Sequence, residues 1–134
     1  MNKKGFTLVE MLVVIAIIAV LVAIIVPTAV GATKKASAAT DAANLRSTMA
    51  QLATWYLTEG SALNAEGATK STGNLGANAS IKFGDIDTNL KAPACKSNSG
   101  DKFNVSFDGT EFTVKFGSHG IDYYAGIADG SSSN

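Results

Sequence analysis

The stretch Lys4-Gly5-Phe6-Thr7-Leu8-Val9-Glu10 opens an apolar run that continues to Pro27. Between Phe6 and Thr33 the only charged residue is Glu10. About 20 apolar residues are enough to cross a bilayer, so the run predicts a transmembrane helix. A carboxylate inside such a span costs on the order of 3 kcal/mol. Glu10 is therefore expected to be functional and to need a partner.

This segment resembles the N-terminus of type IV pilins and pseudopilins. The resemblance covers residues 1–57 and is carried by Lys4-Gly5-Phe6-Thr7-Leu8-Val9-Glu10, the apolar helix after it, and Pro27. It implies that a prepilin peptidase removes a leader, residues 1–5, by cutting between Gly5 and Phe6. It also implies that the same enzyme methylates the new amine of Phe6, and that Phe6, Glu10 and Pro27 serve assembly.

The chemistry of the residues supports this interpretation separately. Gly5 has no side chain, so a protease can approach the backbone closely there. Cutting creates an α-amine with a pKa of about 8, which is largely cationic at neutral pH. Phe6 and Glu10 are four residues apart and would share one face of a helix. The cation and the carboxylate are expected to neutralise each other, within a subunit or between neighbours.

Two simpler interpretations of the segment fit less well. A secretory signal has an apolar core of about 7–15 residues and a small-residue cleavage site after it. Here the apolar run is longer and its polar break stands at the front. A plain membrane anchor explains the length but not the sequence from Gly5 to Glu10.

Composition narrows the function classes. The chain of 134 residues carries 11 basic and 11 acidic residues, and loss of Lys3 and Lys4 would leave it mildly acidic. That balance gives no strong nucleic-acid signal.

Cys95 is the single cysteine, so no intrachain disulfide can form. Many Gram-negative pilins have one, and its absence suggests a Gram-positive or anaerobic bacterium. For Cys95 we expect a partly buried free thiol rather than a link between subunits.

The predicted fold is α+β, the type IV pilin fold, with a helix over residues 6–57 whose C-terminal half packs on a small antiparallel β-sheet head. The parts are a leader (1–5), a transmembrane and assembly half (6–33), an amphipathic half (34–59) and a globular head (60–134). Pro27 and Gly31 predict a kink or a locally melted turn near residues 23–31, unless neighbouring chains satisfy the freed carbonyl. The apolar stripe of the second half steps by three and four residues: Ala38, Ala42, Leu45, Met49, Leu52 and Tyr56. Asp41 falls off it.

In the head, residues 60–80 are predicted to be a surface loop with few core anchors, and 81–83 a short strand. The clearest signal is Asp108-Gly109 between the alternating runs 103–107 and 110–116, which predicts a hairpin with a type I′ turn. The apolar faces of that hairpin should meet the helix stripe. A third strand is expected at 121–125, and residues 130–134 are expected to fray.

The sequence contains no recognisable combination of catalytic residues. His119 is the only histidine, and we interpret it as a surface or capping residue. Asp85, Asp87 and Asn89 resemble the start of a calcium loop, but Leu90 and Lys96 stand where that pattern needs Gly and Glu. They are weak metal candidates, and a polar turn is expected instead. We therefore expect no enzyme activity, no cofactor and no metal.

The sequence predicts the major structural subunit of a type IV pilus. Alternatives are a pseudopilin of a type II secretion or competence system, a minor pilin that acts as an adhesin or initiator, and an enzyme with a pilin-like anchor. Expected partners are further copies of the chain, the prepilin peptidase, an assembly platform with its ATPase, and the membrane before assembly. The chain would be a single-pass precursor in the cytoplasmic membrane and then part of a surface pilus. The sequence does not decide whether the filament serves twitching, adhesion, DNA uptake or secretion.

Overall fold

The computed structural model describes residues 4–65 and 70–131. The predictions for Met1–Lys3, for positions 66–69 of the expected loop and for the expected fraying at 132–134 fall outside these described residues. The chain divides into two compact units, Met1–Thr33 and Lys34–Asn134. The elements in order are α1 (Leu8–Thr58), a 3₁₀ turn (Gly60–Asn64), β1 (Ser80–Phe83), β2 (Ile86–Lys91), β3 (Phe103–Phe107), β4 (Phe112–Phe116) and α2 (Ile121–Asp129). The predicted α+β fold with a long N-terminal helix and a small antiparallel head is confirmed.

The first half of α1 is apolar on all sides and exposed. Its length and composition are sufficient to cross a membrane. The helix is continuous through Pro27, so a locally melted turn near residues 23–31 is wrong for the single chain, while the kink predicted as its alternative stays a prediction. The hydroxyls of Thr28 and Thr33 donate to the carbonyls of Ile25 (2.8 Å) and Ala29 (2.9 Å), which adds local bonds around the proline.

The second half of α1 buries one face in the head. Ala38, Ala42, Leu45 and Leu52 are fully buried, as the stripe predicted, and Met49 and Tyr56 are partly buried. Asp41 was expected off the stripe, and that was wrong, because its exposed fraction is 0%. A buried carboxylate needs hydrogen-bond donors around it, and these come from a distant loop described below.

The head contains two separate two-stranded antiparallel sheets, β1–β2 and β3–β4. β1 contains the predicted strand at 81–83. β2 replaces the expected polar turn, since only Gly84 and Asp85 form the loop between β1 and β2, and Gly84 supplies a positive φ of 64°. Among the described residues of the segment 60–80, Leu63 is the one completely buried hydrophobic side chain, which agrees with the expectation of few core anchors there.

The β3–β4 hairpin packs on α1 through aromatic rings. The apolar faces of both strands are buried as predicted: Phe103, Val105 and Phe107 on β3, and Phe112, Val114 and Phe116 on β4. The ring of Tyr56 on α1 lies 4.8 Å from Phe107 and 5.9 Å from Phe112, between ring centroids. Contacts of this kind stabilise by about 0.5–1.5 kcal/mol beyond the area they bury.

The hairpin loop differs from the prediction. Phe107 pairs with Phe112, so the loop has four residues, 108–111, and the type I′ turn is wrong. Gly109 alone has a positive φ, at 106°. Asp108 instead accepts hydrogen bonds through Oδ1 from the amides of Thr110 (2.8 Å) and Glu111 (2.9 Å). An aspartate that bonds the next amides closes the loop by itself.

The predicted third strand at 121–125 is also wrong. After one bridge between Phe116 and His119, the chain turns into α2. Ile121, Tyr124, Ala125 and Ala128 are spaced by helical steps, and Gly130 ends the helix in the left-handed conformation (φ 84°). This spacing outweighs the strand propensity of Ile121-Asp122-Tyr123-Tyr124.

Replacing Gly109 with Val should destabilise the head by about 1 kcal/mol or more, because a β-branched residue is strained at a positive φ. Thermal unfolding of the detergent-solubilised full-length chain measures the change. Gly76→Val is the matched control, since Gly76 has no positive φ and an added Cβ meets nothing within 4 Å. Equal melting temperatures for both variants and the parent would contradict the assigned loop.

Candidate functional site

The start of α1 is a capping box formed by Thr7 and Glu10. The Glu10 Oε2 atom accepts hydrogen bonds from the Thr7 amide (2.7 Å) and the Thr7 hydroxyl (3.0 Å). In return the Glu10 amide donates to Thr7 Oγ1 at 3.2 Å. This reciprocal arrangement satisfies two amides that the first helical turn leaves open. Sequence reasoning missed it, although Thr-x-x-Glu before an apolar run is its known signature.

Gly5 and Phe6 lie outside the helix in an exposed segment. Residues 4–7 have no regular structure, and Phe6 is 86% exposed. A Cβ added at Gly5 would meet nothing within 4 Å. The bond between the two residues is therefore accessible to an enzyme. Because α1 begins at Leu8, Phe6 does not share a helical face with Glu10 in the uncut chain, and that part of the sequence argument was wrong.

The exposed face of α1 carries a shallow apolar groove. Its volume is about 400 Å³, and it is lined by Leu12, Val13, Ala16, Ile17, Val20 and Leu21. The small side chain at Ala16 makes room between larger neighbours, which is the surface shape that a partner helix fills. Pro27, further along, is also exposed.

In the head, Asp41 fastens a loop to α1. Its Oδ1 accepts a hydrogen bond from the Lys96 amide (2.6 Å), and its Oδ2 accepts one from the Ser97 amide (2.7 Å). The Ser97 hydroxyl and the Cys95 thiol also donate to Oδ2, the thiol at 3.4 Å. We call this arrangement the Asp41 clasp. Hydrogen bonds to a charged group are stronger than neutral ones, so the clasp is a strong link between residues 54–56 positions apart.

Cys95 is a free buried thiol in the single chain, and the expectation that it forms no link between subunits stays a prediction. Burial raises the pKa of the Cys95 thiol. Its sulfur lies 3.8 Å from the hydroxyl of Tyr124, whose pKa burial also raises. Both groups are therefore neutral at physiological pH, which suits a core beside a carboxylate.

The weak metal candidates are not brought together as a ligand set. Asp87 forms an ion pair with Lys82 at 2.9 Å and accepts a hydrogen bond from the Asn89 amide. The ion pair with Lys82, followed by that amide, lowers the pKa of Asp87. Asp85 lies in the exposed loop between β1 and β2. Within residues 4–65 and 70–131, no three His, Cys, Asp or Glu side chains are grouped as metal ligands.

Comparison with known proteins identifies the first segment. The family model described as the prokaryotic N-terminal methylation motif matches residues 1–26. That motif is the processing signal of type IV pilins and pseudopilins, so residues 1–26 are similar to the N-terminal segment of those proteins. The match contains Gly5, Phe6, Thr7 and Glu10. No curated protein and no solved structure matches the chain. The match ends at residue 26 and does not reach the head, which is described by its geometry alone.

Replacing Asp41 with Ala should lower the stability of the head by about 2 kcal/mol, because it removes the buried acceptor of the partly buried hydrogen bonds from the Lys96 and Ser97 amides. Thermal unfolding of the full-length chain in detergent measures the loss. Asp85→Ala is the control, since Asp85 is exposed. If both variants melted together, the clasp would have no energetic role.

The Cys95 thiol should resist alkylation in the folded chain at about pH 8, because it is buried and protonated. Mass spectrometry after iodoacetamide treatment counts the modified fraction, and denaturant should make it complete. Asp41→Ala should speed the reaction by opening the loop. Rapid alkylation of the folded parent would show that the thiol is accessible.

Proposed function

We propose that this chain is the major structural subunit of a type IV pilus. The observation that carries the proposal is the pilin signal on residues 1–26, followed by a helix whose apolar side chains are exposed around its whole circumference. Such a surface requires lipid first and sister helices later. The compact head, held together by the Asp41 clasp and two hairpins, would form the outer part of the fibre.

The proposed mechanism is processing followed by polymerisation. The prepilin peptidase cuts between Gly5 and Phe6 and methylates the amine of Phe6, and the mature chain waits in the cytoplasmic membrane. An assembly platform with its ATPase then moves the helix from lipid into a bundle of identical helices. Apolar contacts with lipid are replaced by apolar contacts with protein, so extraction has a small solvation cost. Head-to-tail contacts that do not close into a ring give a fibre.

Glu10 has a distinct task in this mechanism. In the uncut chain its carboxylate is bonded to Thr7. Cutting creates a cationic amine on the residue next to Thr7, within the same local structure. We expect that amine, on the same or an adjacent subunit, to neutralise Glu10 inside the apolar bundle. Pro27, which leaves the carbonyl of Ala23 without a helical donor, would allow local adjustment on packing.

A pseudopilin of a type II secretion or competence system uses the same signal, and so does a minor pilin that acts as an adhesin. The amount of filament separates these candidates. Deleting the gene should remove most surface fibres seen by electron microscopy of sheared cells, and expression in trans should restore them. Unchanged fibres, with a loss of protein secretion or DNA uptake, would favour the pseudopilin and contradict the proposal.

Glu10→Ala and Glu10→Gln should be processed and inserted normally but should form few filaments. Either change leaves the Phe6 amine unpaired in apolar surroundings, which costs about 3–5 kcal/mol. Counting sheared filaments and measuring leader removal by mass spectrometry test this. Thr7→Ser keeps the capping box and is the control. Normal filament yields from both Glu10 variants would refute the pairing while leaving the family signal intact.

A further inference from the structure

The outer edge of β4 has unpaired backbone groups. In an antiparallel pair, alternate residues direct their N–H and C=O groups to opposite sides. Phe103, Val105 and Phe107 of β3 bond outward to residues 70–75, so Asn104 and Ser106 face β4 and bond to Lys115 and Thr113. Phe112, Val114 and Phe116 of β4 must then direct their backbone groups away from β3.

Only part of that edge is covered. Phe116 exchanges two hydrogen bonds with His119, both at 2.9 Å, and then the chain leaves the edge to form α2. In the described ranges 4–65 and 70–131, no backbone group or side chain bonds the outward N–H and C=O groups of Phe112 and Val114. The strand that the sequence predicted at 121–125 would have covered them.

A groove runs beside the unpaired edge. Its volume is about 720 Å³, and its lining includes Met49 and Arg46 of α1, Val114 of β4, and Gly120 and Ile121 where α2 begins. Met49 belongs to the apolar stripe of α1 yet stays half-buried, at the side of the groove. Within the described residues, the groove therefore leaves part of the helix stripe uncovered beside β4.

We propose that a second copy of this chain supplies an extended segment that pairs with the edge of β4 at Phe112 and Val114 and covers Met49. Unpaired edge groups bind an extended backbone, and a peptide added in this way continues the sheet. The groove carries two basic side chains, Arg46 and Lys115, and two acidic ones, Glu111 and Asp122, so it suits a partner of small net charge; the processed chain, with nine basic and eleven acidic residues, is such a partner. The contact rests on the proposed function, since a filament holds neighbouring heads at high effective concentration. In a polar filament it is heterologous, joining this edge to a different segment of the neighbour.

Residue-resolved hydrogen exchange tests the contact with internal controls. The amides of Phe112 and Val114 should exchange at least about tenfold more slowly in sheared filaments than in the detergent-dispersed chain. The amides of Thr113 and Lys115, already bonded within the hairpin, should change little. Equal exchange of Phe112 and Val114 in both states would overturn the inference and leave the filament function standing. Protection already present in the dispersed chain would overturn it too, because the edge would then be covered within one copy.

Gly120→Leu provides a second test. A Cβ at Gly120 would lie 3.9 Å from the Val114 carbonyl oxygen without strain, so the leucine side chain would occupy the groove. Filaments of this variant should lose the protection at Phe112 and Val114 and break under milder shear. Gly76→Leu, at an open glycine away from the groove, should behave like the parent. Full protection in Gly120→Leu filaments would overturn the inference, whereas absence of filaments from the parent would refute the proposed function itself.

Discussion

The structure depends on one constraint: in the described part of the chain, the large apolar side chains from Phe6 to Val30 are exposed. Burying a Leu, Ile or Val side chain is worth about 1.5–3 kcal/mol, so the fifteen of them in this segment cannot remain in water. In the proposed function, lipid covers this surface before assembly and identical helices cover it afterwards. The match of residues 1–26 to the prokaryotic N-terminal methylation motif supports that proposal.

Three carboxylates link backbone segments of this chain to each other, as disulfides do in disulfide-bonded domains. Glu10 closes the start of α1, Asp41 ties the loop at Cys95–Ser97 to the helix, and Asp108 closes the β3–β4 loop. Each accepts hydrogen bonds from backbone amides, and hydrogen bonds to a charged acceptor are stronger than those between neutral groups. The amides of Glu111 and Thr110 lower the pKa of Asp108, so its contribution is present at neutral pH and is lost as the pH falls through that lowered value.

Sequence reasoning succeeded where the signal was local and periodic. The helix and the buried faces of β3 and β4 follow from residue spacing, whereas the processing motif was predicted from the resemblance of residues 4–10 to type IV pilins and pseudopilins. It failed at Asp41, because the donors come from a loop more than fifty residues away and no spacing rule links them. It failed at Ile121–Asp129, where strand propensity competed with helical spacing, and that failure points to the unpaired edge of β4. The division into leader, two helix halves and head, the roles of Phe6, Glu10 and Pro27, and the expected Gram-positive or anaerobic source stay predictions.

The central claim is that the apolar half of α1 leaves the membrane to form the centre of a fibre after the leader is removed. Mass spectrometry of subunits from sheared, purified surface fibres tests it most directly. The account predicts that this chain dominates the fibre and begins at a methylated Phe6. A chain that remained in the membrane fraction with residues 1–5 attached, or fibres built from subunits that keep Met1, would contradict it.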